Sequence, residues 1–163
     1  DHLREKTIQK TYQCIVTGWV KDDSQTIDKP LLKFSLPATQ EGKSGERRVK
    51  VDIKSPDSKP SQTQVTVKQR FEINGKKVSL VECQPLTGRT HQIRVHMASI
   101  GHGILGDDKY NLQANPQGKP QATFKNNLAV KRLCLHAWRL QIPEYAVIEV
   151  AMPDDMARLI PMV

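Results

Sequence analysis

The sequence predicts an α+β fold, a mostly antiparallel mixed sheet with few helices. Short blocks rich in Val, Ile and Leu recur along the 163 residues at strand-like lengths, and only one long stretch changes to a helical period. The length suits one domain or a piece of one. No uninterrupted apolar run is long enough to span a membrane, and the first ten residues are charged and polar. We therefore expect neither a membrane segment nor a signal peptide.

The predicted elements follow from β-branched content and from the turn residues between them. Leu3–Lys10 is expected to be the tail of a helix. Strands are then predicted at Tyr12–Val20, Leu31–Leu36, Val49–Ile53, Thr63–Ile73, Lys77–Gln84, Leu133–Ile142 and Ala146–Met152. The polar segments Ala38–Gly45 and Asp108–Asn127 predict surface loops. Asn74 followed by Gly75 predicts a tight hairpin turn.

The change of period occurs after Thr90. Ile93, Met97 and Ile100 fall at i, i+4 and i+7, which predicts one helix over His91–Ile100. Near the end of the chain, Asp154 is expected to cap a second, short helix.

The cysteines and histidines are the residue types that could serve as reactive or metal-binding groups. Cys14, Cys83 and Cys134 each lie in an apolar run without CxxC spacing, so we expect buried free thiols in a reducing, cytoplasmic setting. His91 and His96 are five residues apart, which does not align them on one helix face, and the HExxH glutamate is missing. The sequence thus predicts no metal site.

Positive charge is concentrated in one part of the chain. The formal net charge is +8, and Glu41–Lys77 holds ten Lys and Arg against five Asp and Glu. Such a face favours a polyanion partner, most commonly a nucleic acid, and Arg47, Arg48 and Lys50 are candidate RNA contacts within it. A solvated lysine-rich face explains the charge equally well.

The densest group of functional side chains is TGRTHQIRVH, at Thr87–His96. A glycine turn here leads into a helix start, whose free N–H groups attract anions. Arg89 precedes the helix and Arg94 lies within it. Because Arg94 follows the core-facing Ile93, its guanidinium is expected to need a carboxylate or phosphate partner.

Four ordered motifs resemble the large-subunit (RluA-type) family of RNA pseudouridine synthases. They are KxYxxxVxG at Lys10–Gly18, TGRTHQIRVH, GHGILGD at Gly101–Asp107 with Tyr110, and RLCLHA at Arg132–Ala137. Flanking stretches such as GERRVKV and KPSQT are most similar to the branch that modifies 23S ribosomal RNA. The motifs cover nearly the whole chain, so the resemblance is specific.

The resemblance implies isomerisation of uridine to pseudouridine in 23S ribosomal RNA, without a cofactor or metal, on a base taken out of its stack. It assigns two catalytic residues. Tyr12 fits the tyrosine that lies against the uracil ring, and Arg94 fits the arginine that pairs with the nucleophilic Asp. Lys10, Arg89 and His91 are expected to contact the RNA backbone or to support the local structure. Asp107 is expected to be a turn or helix-contact carboxylate.

The family's nucleophile lies in an HRLDxxTSG segment, and no Asp in this sequence is followed by TSG. We therefore expect residues 1–163 to be the later part of one catalytic domain, without the nucleophile segment or the N-terminal RNA-binding module. The chain alone is then expected to be inactive, and a non-catalytic RNA-binding module is the alternative. The full enzyme is expected to be a monomer. Tyr12–Val20 should have an exposed edge or one covered by a second molecule, and Arg94 should hold water, an anion or a substitute acid.

Overall fold

The computed structural model describes residues 8–36, 45–110, 112–114, 120–122 and 130–162. These residues form one six-stranded sheet, two small two-stranded sheets and two helices. All the strand pairs described are antiparallel. The predicted α+β class is confirmed.

The elements follow one another in a simple order. The strands are β1 (Gln9–Thr17), β2 (Ser24–Asp28), β3 (Leu31–Ser35), β4 (Arg47–Val51), β5 (Gln62–Ile73), β6 (Lys76–Pro85), β7 (Leu112–Ala114), β8 (Pro120–Ala122), β9 (Leu135–Ile142) and β10 (Ala146–Glu149). The helices are α1 (Gln92–Ser99) and α2 (Asp154–Ala157). The large sheet has the order β10-β9-β1-β6-β5-β2, while β3–β4 and β7–β8 pair separately.

Strand β1 lies inside the sheet, with β6 on one side and β9 on the other. Beyond Leu135, the first residue of β9, residues 103–105 continue the pairing, and the Thr17 N–H donates to the Gly103 carbonyl at 2.9 Å. The expected free edge along Tyr12–Val20 is therefore wrong. Both neighbours come from later parts of this chain, which satisfy the backbone groups of β1 on each side.

The core is built on the two faces of this sheet. Helix α1 buries Ile93 and Met97 against it, and α2 is anchored by the fully buried Met156. A smaller cluster of Leu31, Val49 and Val95 attaches the β3–β4 hairpin to the outer side of α1. These contacts fix α1 and the hairpin next to each other. Neither helix in the described part of the chain is long and apolar enough to cross a membrane.

The strongest local signals match the structure. Asn74 and Gly75 have φ values of 49° and 77°, and Ile73 pairs with Lys76 across them, as a two-residue hairpin requires. Helix α1 lies inside the predicted range His91–Ile100.

Several boundaries differ from the prediction. Gln9 and Lys10 belong to β1 rather than to a helix, because they pair with β9; Leu3–Thr7 lie outside the described residues. Strand β4 stops at Val51, and Ile53 is 78% exposed. The last strand stops at Glu149.

Three further differences concern connecting segments and a cap. Part of the predicted loop Asp108–Asn127 forms the β7–β8 pair, while 111, 115–119 and 123–127 lie outside the described residues. Most of the predicted loop Ala38–Gly45 lies outside them too. Pro153 occupies the cap position of α2, so Asp154 is its first residue rather than its cap.

Candidate active site

A cavity of about 930 Å³ lies between the first half of β1, the end of β6 and the start of α1. Its size is within the range of sites that enclose small molecules. Five of the predicted site residues line it: Lys10, Tyr12, Arg89, His91 and Arg94. The remaining wall includes apolar side chains, among them Leu86, Leu133 and Leu135. Motifs distant in the sequence therefore meet at one site.

The start of α1 is organised by a buried amide. The Gln92 Oε1 atom accepts hydrogen bonds from the Thr87 hydroxyl at 2.7 Å and the Arg89 N–H at 3.1 Å. Its Nε2 donates to the Gln62 carbonyl at 2.8 Å. The preceding residue, His91, has φ 52°, in the left-handed region. Gln92 thus ties the loop before the helix to β5, a role that the sequence prediction missed.

The Gln92 amide is also the first member of a chain of hydrogen bonds that passes through Thr63 and His96 to the Lys29 carbonyl. Gln92 Nε2 also donates to the Thr63 hydroxyl at 2.9 Å, and that hydroxyl lies 2.8 Å from His96 Nδ1. His96 Nε2 lies 2.9 Å from the Lys29 carbonyl and must donate to it, so Nδ1 accepts from Thr63. Burial lowers the pKa of His96, which agrees with a neutral ring. His96 is an ordinary hydrogen-bonding residue of the core.

Arg94 makes a two-point ion pair with Asp107. The Arg94 Nε and Nη2 atoms donate to Asp107 Oδ2 and Oδ1 at 2.9 and 2.7 Å. The Asp107 side chain is fully buried, and that of Arg94 is 13% exposed. Burial alone would raise the pKa of Asp107, but the Arg94 guanidinium and two backbone N–H groups hold that pKa below its usual value. The expected substitute acid on Arg94 is Asp107.

Tyr110 connects the β3–β4 hairpin to this pair. Its hydroxyl accepts from the Val49 N–H at 3.3 Å and lies 2.7 Å from His91 Nδ1. The Arg94 guanidinium lies over the Tyr110 ring, 5.1 Å from its centre. Burial and the nearby cations of Arg94 and Lys109 lower the pKa of His91, which keeps its ring neutral at pH 7.

Tyr12 projects from the centre of the sheet. On β1 its Cα is paired with Cys83 of β6 and Ala137 of β9, and the half-buried residue lines the cavity. The sheet thus fixes Tyr12 on both sides, while α1 brings Arg94 to the same cavity.

The other predicted RNA contacts lie on β4, outside the cavity wall. Arg47 is exposed. Arg48 pairs with Glu46 at 3.1 Å, and the Lys50 ammonium lies 3.8 Å from Asp52 and over the Phe34 ring at 5.3 Å. Part of the positive charge on this hairpin is therefore already balanced.

The thiols are unsuited to nucleophilic chemistry. Cys14, Cys83 and Cys134 are free and buried. Burial raises the pKa of Cys134 to about 11 and that of Cys14 well above its usual value, so both are protonated at neutral pH. Among the described residues, no group of three His, Cys, Asp or Glu side chains could hold a metal ion.

The sequence model of the RNA pseudouridylate synthase family matches residues 1–99, more than half of the chain. The chain belongs to this family. It is 38% identical over 160 residues to ribosomal large subunit pseudouridine synthase C of Salmonella typhimurium, covering 96% of the chain and 45% of that protein. The corresponding enzyme of Escherichia coli is 36% identical over 163 residues, covering 97% and 46%. The predicted resemblance is confirmed, and the chain spans less than half the length of these relatives.

Two human members of the family have similar structures. RNA pseudouridylate synthase domain containing 1 superposes with a TM-score of 0.67 at 28% identity, covering 94% of this chain and 57% of that one. RNA pseudouridylate synthase domain containing 4 gives 0.68 at 22% identity, covering 96% and 62%, which supports the fold alone.

Proposed function

We propose that the complete gene product containing this chain isomerises specific uridines of 23S ribosomal RNA to pseudouridine, without a cofactor or metal. In this proposal, residues 1–163 form the later part of its catalytic domain. The observation that carries the proposal is the cavity that brings together Tyr12 and Arg94 from distant motifs. Membership of the family and the names of the relatives support the reaction and the RNA class.

The chemistry assigns separate tasks to these two side chains. The glycosidic C–N bond of the uridine breaks, the uracil turns, and a C–C bond forms to the same ribose. The ring nitrogen gains a proton and the ring carbon loses one, so the reaction is balanced without a co-reactant. Arg94 keeps the carboxylate of the family's nucleophilic Asp ionised and oriented, and Tyr12 lies against the uracil ring. The target base must leave its stack to enter the cavity.

RNA contacts surround the cavity in this proposal. Lys10, Arg89 and His91 line it, and Arg47, Arg48 and Lys50 form a second contact on the neighbouring hairpin. Binding should weaken steeply between about 50 and 200 mM salt, because each neutralised phosphate releases counterions. An affinity independent of salt would contradict this interface.

Cellular setting and assembly are part of the same proposal. The three free, buried thiols suit a reducing compartment, and we place the protein in the cytoplasm. We also propose that the complete enzyme is a monomer.

The test uses the complete gene product and unmodified 23S ribosomal RNA, with pseudouridine mapped by sequence position. Arg94→Lys keeps the charge and loses the two-point geometry, so turnover should fall about 100-fold or more, while RNA affinity stays within a few-fold. Arg139→Lys is the matched control, because Arg139 lies outside the cavity wall and pairs with Glu149 at 3.6 Å. Normal turnover of Arg94→Lys would overturn its role, and no product from the wild type would overturn the function.

A second function applies to the 163-residue chain taken alone. No Asp in it is followed by TSG, so we propose that by itself it binds RNA without isomerising uridine. Site-specific pseudouridine formed by this chain alone would contradict that proposal.

A further inference from the structure

We propose that Asp107 is a positioning residue that directs the Arg94 guanidinium into the cavity. This inference rests on the proposed function, because the reacting group that Arg94 faces belongs to that function. Arg94 has five N–H donors, and Asp107 binds two of them, one on Nε and one on Nη2. A planar guanidinium held at two points on one edge has a fixed plane, and its other edge is directed away from the acid.

Asp107 is itself held firmly enough to serve as an anchor. Its Oδ1 also accepts the N–H groups of Lys109 and Tyr110, at 2.9 and 3.2 Å. The carboxylate therefore accepts four hydrogen bonds, three on Oδ1 and one on Oδ2, and its side chain is fully buried outside the cavity wall. A carboxylate in this state cannot also attack a sugar, so Asp107 acts through Arg94 and not as a substitute nucleophile.

The turn that carries Asp107 is fastened to the strand that carries Tyr12. The Leu105 N–H donates to the Ile15 carbonyl of β1 at 2.9 Å, and the Cys134 N–H donates to the Leu105 carbonyl at 2.9 Å. The position of Asp107 relative to Tyr12 is thus set by the backbone of the sheet. Through Asp107, this backbone also sets the orientation of Arg94, whose own helix lies across the sheet.

The Tyr110 ring closes one face of the guanidinium, 5.1 Å from its central carbon. Three N–H donors of Arg94 then have no partner among the described residues, and Arg94 lines the cavity. Asp107 balances the positive charge of Arg94. Arg94 therefore acts on a group in the cavity mainly by donating hydrogen bonds in fixed directions, and less through its net charge. Geometry, rather than charge alone, should decide its effect on the reaction.

The test is a double-mutant cycle in the complete gene product. Asp107→Asn places an amide N–H₂ against an Arg94 donor, so kcat should fall at least about tenfold, while KM for RNA changes less than about threefold. In an Arg94→Lys background the same change should lower kcat by less than about twofold, because its effect passes through Arg94. Asp155→Asn is the matched control, since it breaks the exposed Asp155–Arg132 pair.

Two outcomes would overturn the positioning role: near-normal kcat for Asp107→Asn, or multiplicative losses in the double variant, which a merely structural role predicts. If Asp107→Asn fails to fold, Asp107→Glu replaces it. This variant keeps the charge, shifts the oxygens by one methylene, and should also lower kcat without changing KM.

Hydrogen exchange of the Arg94 Nε–H, followed by NMR, separates the positioning role of Asp107 from the proposed function. Slow exchange in an inactive wild type would refute the proposed function alone, and fast exchange in an active wild type would refute the positioning role.

Discussion

The substitution Gln92→Glu should make the stability of this protein depend strongly on pH. The amide is 3% exposed, and its Nε2 donates to the Gln62 carbonyl and the Thr63 hydroxyl. Thr63 already donates its own hydrogen to His96. A carboxyl oxygen at the Nε2 position would therefore face two acceptors, and both this contact and burial raise the pKa of the new carboxyl group.

The magnitude follows from the hydrogen bonds that each protonation state can keep. When the introduced carboxyl group is protonated, it can donate one hydrogen bond, so the variant loses one of the two and should be destabilised by about 1 kcal/mol. An ionised carboxylate at this buried position would face only neutral groups among the hydrogen-bond partners of Gln92, and it should cost about 3–5 kcal/mol. Since the folded pKa is raised above the unfolded value of about 4.3, stability falls as pH rises from that value to the folded pKa.

The assay is urea unfolding of the wild type and the variant at pH 5 and pH 8. The difference in free energy of unfolding should be about 2 kcal/mol at pH 5 and larger by about 1–3 kcal/mol at pH 8. Gln69→Glu is the control, because the Gln69 side chain makes one exposed hydrogen bond of 3.4 Å and should show little change at either pH. Equal destabilisation at both pH values by Gln92→Glu would refute the hydrogen-bond chain that runs from this amide to His96.

Two further predictions concern a glycine and a histidine. Gly106→Ala should lower the free energy of unfolding, measured by thermal unfolding, by about 2 kcal/mol or more beyond the loss caused by Gly75→Ala. The two glycines have similar φ values of +78° and +77°, but a Cβ at Gly106 would overlap the Arg132 carbonyl, whereas one at Gly75 has nothing within 4 Å. Equal losses in the two variants would contradict this prediction. Burial lowers the pKa of His96 below its unfolded value, so the stability of the wild type should fall as pH decreases from about 7.5 to 5. The stability of His96→Gln, measured by urea unfolding, should depend less on pH. A pH dependence equal to that of the wild type would refute the assignment of a neutral His96 in the folded state.

The sequence predicted the strands whose residues carry strong local signals. β5 is rich in β-branched residues and is joined to β6 by Asn-Gly, and both strands were predicted nearly to their ends. β2 was missed because SQTID buries only Ile27 and looks like a continuation of the preceding turn. Its strand conformation depends on pairing with β5, which a local pattern does not show.

The site was predictable to the extent that motifs carry it. Tyr12 and Arg94 were assigned by resemblance, and the structure places both at one cavity. The sequence predicted only that the partner of Arg94 would be an acid, an anion or water. The pattern of residues along the chain does not show which carboxylate a turn places next to the Arg94 guanidinium. Gln92 was missed for the same reason, since its partners Gln62 and Thr63 lie on β5, far earlier in the chain.

The central position of β1 also has a consequence for the order of synthesis. Among the described strands β1 is translated first, yet its partner β9 begins only at Leu135. At a translation rate of roughly 5–20 residues per second, one edge of β1 waits for about 5 s or more. This unpaired edge includes the apolar residues Cys14–Val16, which are buried in the folded protein, and it is a risk for aggregation during that time. The β5–β6 hairpin is completed earlier and can cover the other edge, so a slip in its Asn74-Gly75 turn should lower the yield of folded protein made in the cell.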